Sequence, residues 1–222
     1  MELFGARSVH PVGLCVGGFH AAPPAPRVAA LRERLLAALP EAAALVRWAA
    51  AIAVPQNAQD FVSVALGNAD DYAIERGNIR ASDGLALDPA DYDAHFSERH
   101  EPHSTALYSS YRGAPYLVGP LARLNLNHAR LPDPTRDLLA EVGLALPGGN
   151  VFASLLARAL EIHCALVEAA RLLADYRAPD SPYVAVTPRA GIASAASEAP
   201  RGLLWHRFEL DAAGRVVHAR IV

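Results

Sequence analysis

From Val151 to about Tyr176, apolar residues recur at intervals of three and four, and no other feature constrains the chain as strongly. Phe152, Leu155, Leu156, Ala159, His163, Leu166, Val167, Ala170 and Leu173 form one stripe, and Asn150 is placed to cap the start. Arg158/Glu161 and Glu168/Arg171 can pair three residues apart on the other side. The segment is predicted to be a core helix of about seven turns.

The same reading gives a second helical stretch, Arg27–Val54, split near Pro40. Its positions Val28, Leu31, Leu35, Leu36 and Leu39 follow amphipathic spacing. A short helix falls within Pro132–Leu144, and Asp88-Pro89 looks like a helix start. Residues 1–22 read as extended with turns, followed by a proline-rich linker (Pro23, Pro24, Pro26). Phe61–Leu66, closed by Gly67-Asn68, and Asn78–Ala81, closed by Ser82-Asp83-Gly84, read as strands of a peripheral β patch. Tyr108–Arg123 reads as irregular and Gly191–Ser197 as a small-residue loop. Leu203–Leu210 alternates, Asp211–Gly214 turns and Arg215–Val222 returns, which predicts a hairpin. The fold class expected is mainly α with peripheral β (α+β), with 1–222 as a single domain. The chain stops inside a good strand, so both ends are expected to be truncated.

Composition excludes several classes of partner. With 20 basic and 23 acidic residues the net charge is −3, which gives no footprint for nucleic acid or for an anionic membrane surface. The most apolar run, Ala42–Val54, is interrupted by Arg47 and flanked by Pro40 and Pro55, short of the ~18 residues of a membrane helix. Glu2 and Arg7 near the start, with no apolar run behind them, do not make a secretory signal. Cys15 and Cys164 are far apart and suggest neither a disulfide framework nor a zinc site, so a cytoplasmic location is expected.

Local chemistry is sparse. There is no G-x-G-x-x-G, Walker loop, H-E-x-x-H or C-x-x-C. His95, Glu98, His100, Glu101 and His103 are ligand types without helical i, i+4 spacing, and they read as a solvated loop. His163 on the long stripe reads as a hydrogen-bonded core histidine, and Cys15 as a small buried hydrophobe. In Glu198-Ala199-Pro200-Arg201-Gly202, an arginine lies between a proline and a glycine. From the residues alone this is a strand-leading turn with a surface arginine. The alternative is a guanidinium aimed into a cavity.

Five stretches in order resemble the large (alpha) subunit of [NiFe]-hydrogenases, particularly the soluble, cofactor-linked type. Arg7-Ser8-Val9-His10-Pro11-Val12 running to Gly17-Gly18-Phe19 resembles the family's R-x-x-H-P…GG segment. His103–Leu107 with Tyr116–Arg123 resembles its middle section, and Phe152–Glu161 the start of its long core helix. Glu198–Gly202 resembles its E-x-P-R-G motif, and Leu203–Val222 the hairpin after it. The resemblance implies that Arg201 lies over the open face of the metals, with Pro200 lining the pocket of the diatomic ligands. An arginine is a poor base but orients hydrogen and stabilises hydridic charge, and one charge at about 4 Å contributes roughly 4 kcal/mol at an effective dielectric of about 20. It further implies a magnesium site taking a backbone carbonyl at Ile221, and a structural role for His10. An iron-sulfur small subunit, and a diaphorase module, would be the partners. The family holds its nickel-iron centre through R-x-C-G-x-C and D-P-C-x-x-C. Neither occurs here, so no cofactor is expected on the isolated chain, which would be inactive. The alternative is a cysteine-free scaffold, as in the quinone-site subunit of respiratory complex I, although none of that subunit's motifs is present.

Overall fold

The structure, a computed structural model, describes residues 2–222. A single helical turn, α1 (Glu2–Gly5), leads into the short antiparallel pair β1 (Leu14–Cys15) and β2 (Gly18–Phe19). α2 (Ala25–Ala50) starts behind Pro24 with a proline in its first turn, where the missing N–H costs nothing. An antiparallel meander follows: β3 (Val64–Gly67), β4 (Asn78–Ala81) and β5 (Ala86–Leu87). Asp88 accepts from the Ala90 N–H at 2.8 Å and caps a 3₁₀ helix, Pro89–Ala94. β6 (Phe96–His100) and β7 (Leu107–Tyr111) form a hairpin, and α3 (Pro120–Asn127) and α4 (Asp133–Val142) follow. Asn150 caps a 3₁₀ turn, Val151–Ala153, that runs into α5 (Ser154–Ala174). The last sheet is antiparallel, in the order β10 (Val216–Ile221), β9 (Gly202–Leu210), β8 (Gly191–Ala199).

The α+β architecture is as expected, with three local differences. α2 is continuous through Pro40 rather than split there. A proline inside a helix costs about 3 kcal/mol. Here Pro40 lies on the exposed side, and burial of Val28 before it and of Ala42, Val46 and Ala49 after it holds both halves on one axis. Tyr108–Arg123 is not irregular, since it holds most of β7 and the first half of α3. Gly191–Ser197 is not a loop but most of β8.

Two cores result. The helical one joins Val46 and Ala49 of α2 to Leu121, Leu124, Leu138, Leu160 and Cys164. The buried face of α5 is Ala157, Ala159, Leu160, His163, Cys164 and Ala170. It is turned from the expected stripe, so Phe152 and Leu155 are exposed. The strands own the second core, in which Tyr92 stacks on Phe96 at 4.4 Å and on Trp205 at 4.6 Å. The Trp205 indole N–H donates to the Pro89 carbonyl at 2.6 Å. Among the described residues no helix is long and apolar enough to cross a membrane.

His163 is buried and bonded to the Thr135 hydroxyl at 2.9 Å, the core histidine that the sequence suggests. Burial lowers its pKa from the ordinary 6.5, so the unfolded chain binds the proton more readily than the folded one. Its contribution to stability is therefore complete above pH 6.5 and is lost as pH falls towards the lower folded value. Denaturation midpoints should decline as pH falls below 6.5. His163→Gln should flatten that decline, and an equal decline in the variant would place its origin elsewhere.

Candidate functional site at the β8–β9 turn

Pro200 and Arg201 are the two-residue turn of the β8–β9 hairpin, between the register partners Ala199 and Gly202. Both are exposed, and the Arg201 guanidinium has no hydrogen-bond or ion-pair partner among the described residues. The backbone beneath them is tightly held. Gly202 has φ +145°, and a Cβ there would lie 2.7 Å from the Cβ of Val118. Gly119 has φ +87°, and its Cβ would lie 2.7 Å from the Arg201 carbonyl oxygen. Val118-Gly119 and Arg201-Gly202 therefore clasp each other at a distance only glycine permits.

Below the clasp lies Arg123, on the first turns of α3 and only 2% exposed. All five of its N–H donors are used. Nε and Nη2 form a fork on Glu161, at 2.6 and 2.7 Å. Nη1 donates to Glu198 Oε2 at 2.7 Å and to the Ala199 carbonyl at 2.9 Å. Nη2 also reaches the Pro200 carbonyl at 3.2 Å. The carboxylates are held in turn. Glu198 Oε1 accepts from the Leu66 N–H of β3 at 2.8 Å, and Glu161 Oε1 accepts from the Tyr72 hydroxyl at 2.7 Å. Asn127 of α3 donates to the Leu66 carbonyl at 2.7 Å, so the same residue of β3 is gripped from both sides. No buried side-chain polar atom lacks a partner among the described residues.

One guanidinium faces two carboxylates in a nearly dry site. Burial opposes the Arg123 charge, but Glu161 and then Glu198 outweigh it and push the pKa above its ordinary value. Burial raises the Glu198 carboxyl above the usual carboxylate range, against the pull of the Leu66 N–H and Arg123. The Tyr72 phenol is raised well above its usual value by burial and by Glu161.

Of the residues singled out in the sequence, Pro200 and Arg201 are neighbours on this turn, and the others stand apart. Ile221 ends β10 opposite His206, four residues along β9 from Gly202 and so roughly 13 Å away along the strand. Val222 and Trp205 exchange both backbone bonds, at 2.9 Å each. Ile221 thus sits at the non-bonded position of an edge strand, with its carbonyl turned to the open side of the sheet. His10 is exposed at φ +51°, and no hydrogen bond joins it to the turn. Within the histidine-glutamate cluster, Glu98 bonds Arg220 at 3.2 Å and His103 lies 3.4 Å from Tyr108. No three His, Cys, Asp or Glu side chains converge on a metal position among the described residues. Cys15 is half-buried rather than fully buried. Cys164 is buried on α5, and its thiol is pushed up to about 12 by burial, Glu161 and Glu168. Neither cysteine suits a thiolate ligand set.

The sequence reading missed Arg123, and it paired Glu161 with Arg158 rather than with α3. The local pattern does not mark it: Leu121-Ala122-Arg123-Leu124 sets a charge inside an apolar run, but Leu156-Ala157-Arg158-Ala159-Leu160 does the same and its arginine is exposed.

An α+β scaffold that presents an arginine from a glycine-clasped turn over a buried guanidinium–carboxylate network can be compared with known proteins. No protein-family model matches the chain. The alpha chain of sulfhydrogenase 1 from Pyrococcus furiosus is 30% identical over 226 residues, covering 100% of this chain and 53% of the relative. A component of the F420-non-reducing hydrogenase vhu of Methanococcus voltae is 31% identical over 150 residues, covering 64% of this chain and 36% of the relative. The fold matches an NAD+-reducing [NiFe]-hydrogenase in the H2-reduced state at TM-score 0.81 and 20% identity, over 100% of this chain and 54% of that one. It matches the as-isolated Ni-Fe-Se hydrogenase of D. vulgaris Hildenborough at TM-score 0.73 and 19% identity, over 100% and 55%. The chain is part of the large (alpha) subunit family of [NiFe]-hydrogenases, and it spans about half the length of the Pyrococcus relative.

Arg123→Met should cost the folded chain about 3–5 kcal/mol in a denaturant titration, because it strands two buried carboxylates. Arg47→Met, which breaks the exposed 2.6 Å pair with Glu141, should leave the midpoint almost unchanged. Equal shifts in the two variants would mean that the Arg123 network is not the strong point.

Proposed function

We propose that this chain is the part of a hydrogenase large subunit that frames the catalytic metals, in an enzyme that interconverts H2 with protons and electrons. The observation that supports this is the turn itself. Arg123 fixes the backbone from below, and the Arg201 guanidinium is left with all its donors unused. A permanently charged, planar donor on a rigid mount is suited to hold hydrogen and to stabilise negative charge that develops on it. Pro200 beside it supplies an apolar wall without a backbone donor.

A nickel-iron centre of this family needs four thiolates, and the residues of this chain do not fit that demand. Cys15 and Cys164 are on different elements, and the Cys164 thiol is held protonated by burial. No step is therefore assigned to the metals through this chain. For magnesium, which takes near-octahedral oxygen ligands, the chain offers one among the described residues. The Ile221 carbonyl is a hard oxygen donor on an open sheet edge, where such an ion would act as a structural tie. An iron-sulfur small subunit would take the electrons, and the NAD+-reducing hydrogenase among the structural relatives supports a diaphorase module beyond it. Two unpaired cysteines favour a reducing compartment, the cytoplasm.

In the complete enzyme, Arg201→Lys should lower H2-dependent dye reduction at least about tenfold, which needs only ~1.4 kcal/mol of lost orientation. Metal content should stay near that of the parent. Unchanged turnover would reduce Arg201 to a surface residue of the hairpin.

A further inference from the structure

We infer that Arg123 is the positioning residue for Arg201: its guanidinium, clamped between Glu161 and Glu198, sets where the arginine at the turn points by holding the two carbonyls that precede it. This rests on the function proposed for Arg201.

The geometry separates the two sides of the Arg123 fork. Its Nε edge and one Nη2 donor go to Glu161, on α5, which is anchored by Tyr72. That arm fixes the guanidinium plane relative to the helical core. The other arm reaches Glu198, Ala199 and Pro200 in succession, at 2.7, 2.9 and 3.2 Å. A two-residue turn has few free torsions, and two of the carbonyls that define it are bonded to one rigid plane. On the far side, the Arg201 carbonyl abuts Gly119, one residue before α3 begins. The backbone of the turn is thus held from both ends by the segment that carries Arg123. Lysine cannot copy this. It has three donors on a flexible stem and no plane, so two carboxylates and two carbonyls cannot all be satisfied.

The test is a mutant cycle in the complete enzyme, with Arg123→Lys, Arg201→Lys and the double variant compared by turnover, metal content and melting temperature. A misplacement of about 1 Å at a reacting centre can cost on the order of 100-fold, so Arg123→Lys should lose at least about tenfold in turnover with metal content retained. Because it acts through Arg201, the double variant should be no slower than Arg201→Lys alone. Two independent losses would instead multiply to about 100-fold, and that result, or full activity of Arg123→Lys, overturns the inference while leaving Arg201's role intact. If Arg201→Lys itself keeps full turnover, the functional reading fails first and the inference falls with it. Should Arg123→Lys fail to assemble, Glu161→Gln gives the same comparison. It keeps size and one acceptor but removes the charge-assisted fork. Its loss should likewise vanish in the Arg201→Lys background, and a multiplying loss would overturn the proposal.

Discussion

The structure depends on a guanidinium that cannot be exposed and cannot be left unpaired. Arg123 sits on α3 between Leu121 and Leu124, both fully buried in the helical core. Its charge is tolerable there only because two carboxylates and two carbonyls arrive from other parts of the chain. Glu161 comes from α5, Glu198 from β8, and the carbonyls from the β8–β9 turn. Each of these must be in place before α3 can bury its apolar face. The network therefore acts less as a source of stability than as a condition on how the helical core and the strand core meet. Replacing a buried ionic cluster with apolar residues is often neutral for stability, whereas removing one member is costly. A cluster of this kind makes one arrangement acceptable and its neighbours unacceptable.

The two cores would otherwise be loosely related. The aromatic stack of Tyr92, Phe96 and Trp205 packs on its own, and α2 packs along α5 on the other side. α3 is the bridge. Its apolar residues enter the helical core, while Arg123, Asn125 and Asn127 bond β8, the loop at Gly148 and β3. Leu66 shows how closely this is done, with its N–H on Glu198 and its carbonyl on Asn127. Glu198 thus ties the last sheet to the first meander at the residue that opens the turn motif. Gly119 and Gly202 then allow the two chain segments to meet at backbone distance.

What was legible in the sequence follows from the range of the interactions involved. The long helix α5, the hairpin of β9 and β10 and the capped 3₁₀ helix after Asp88 rest on contacts within a few residues, and periodicity and capping residues reveal those. β8 did not show itself. Gly191-Ile192-Ala193-Ser194-Ala195 has little intrinsic preference for a strand, and nine consecutive pairings with β9 impose it. Pro40 looked like a helix break because its local cost is real, and tertiary packing overrode it. The candidate site was half legible. Pro200 and Arg201 are singled out by the resemblance of Glu198–Gly202 to the E-x-P-R-G motif, whereas the residues alone give only an exposed turn beside a strand, and the backbone there is such a turn. Arg123 and Glu161 could not be joined to them, since 38 residues separate that pair and 75 separate Arg123 from Glu198. Nothing in the spacing of charges along a chain says which of several carboxylates a buried arginine will meet.

The two arginines show how environment divides one chemistry into two roles. Arg123 and Arg201 carry the same planar charge, and their backbones lie close enough for one to bond the turn of the other. Arg123 has every donor engaged by protein oxygen, and burial has not displaced its proton because the carboxylates hold it. A residue so satisfied has nothing left to offer a ligand, and it is rigid for that reason. Arg201 is its opposite, exposed and with no protein acceptor among the described residues. A free guanidinium on a flexible loop would lose entropy on meeting anything. On a turn whose carbonyls are already bonded and whose glycines are already wedged, the backbone part of that ordering is complete before a ligand arrives, and only the side-chain torsions remain to be fixed. The order of dependence therefore runs from the buried pair outwards: the carboxylates fix Arg123, Arg123 fixes the turn, and the turn presents a donor whose capacity the fold has left unused.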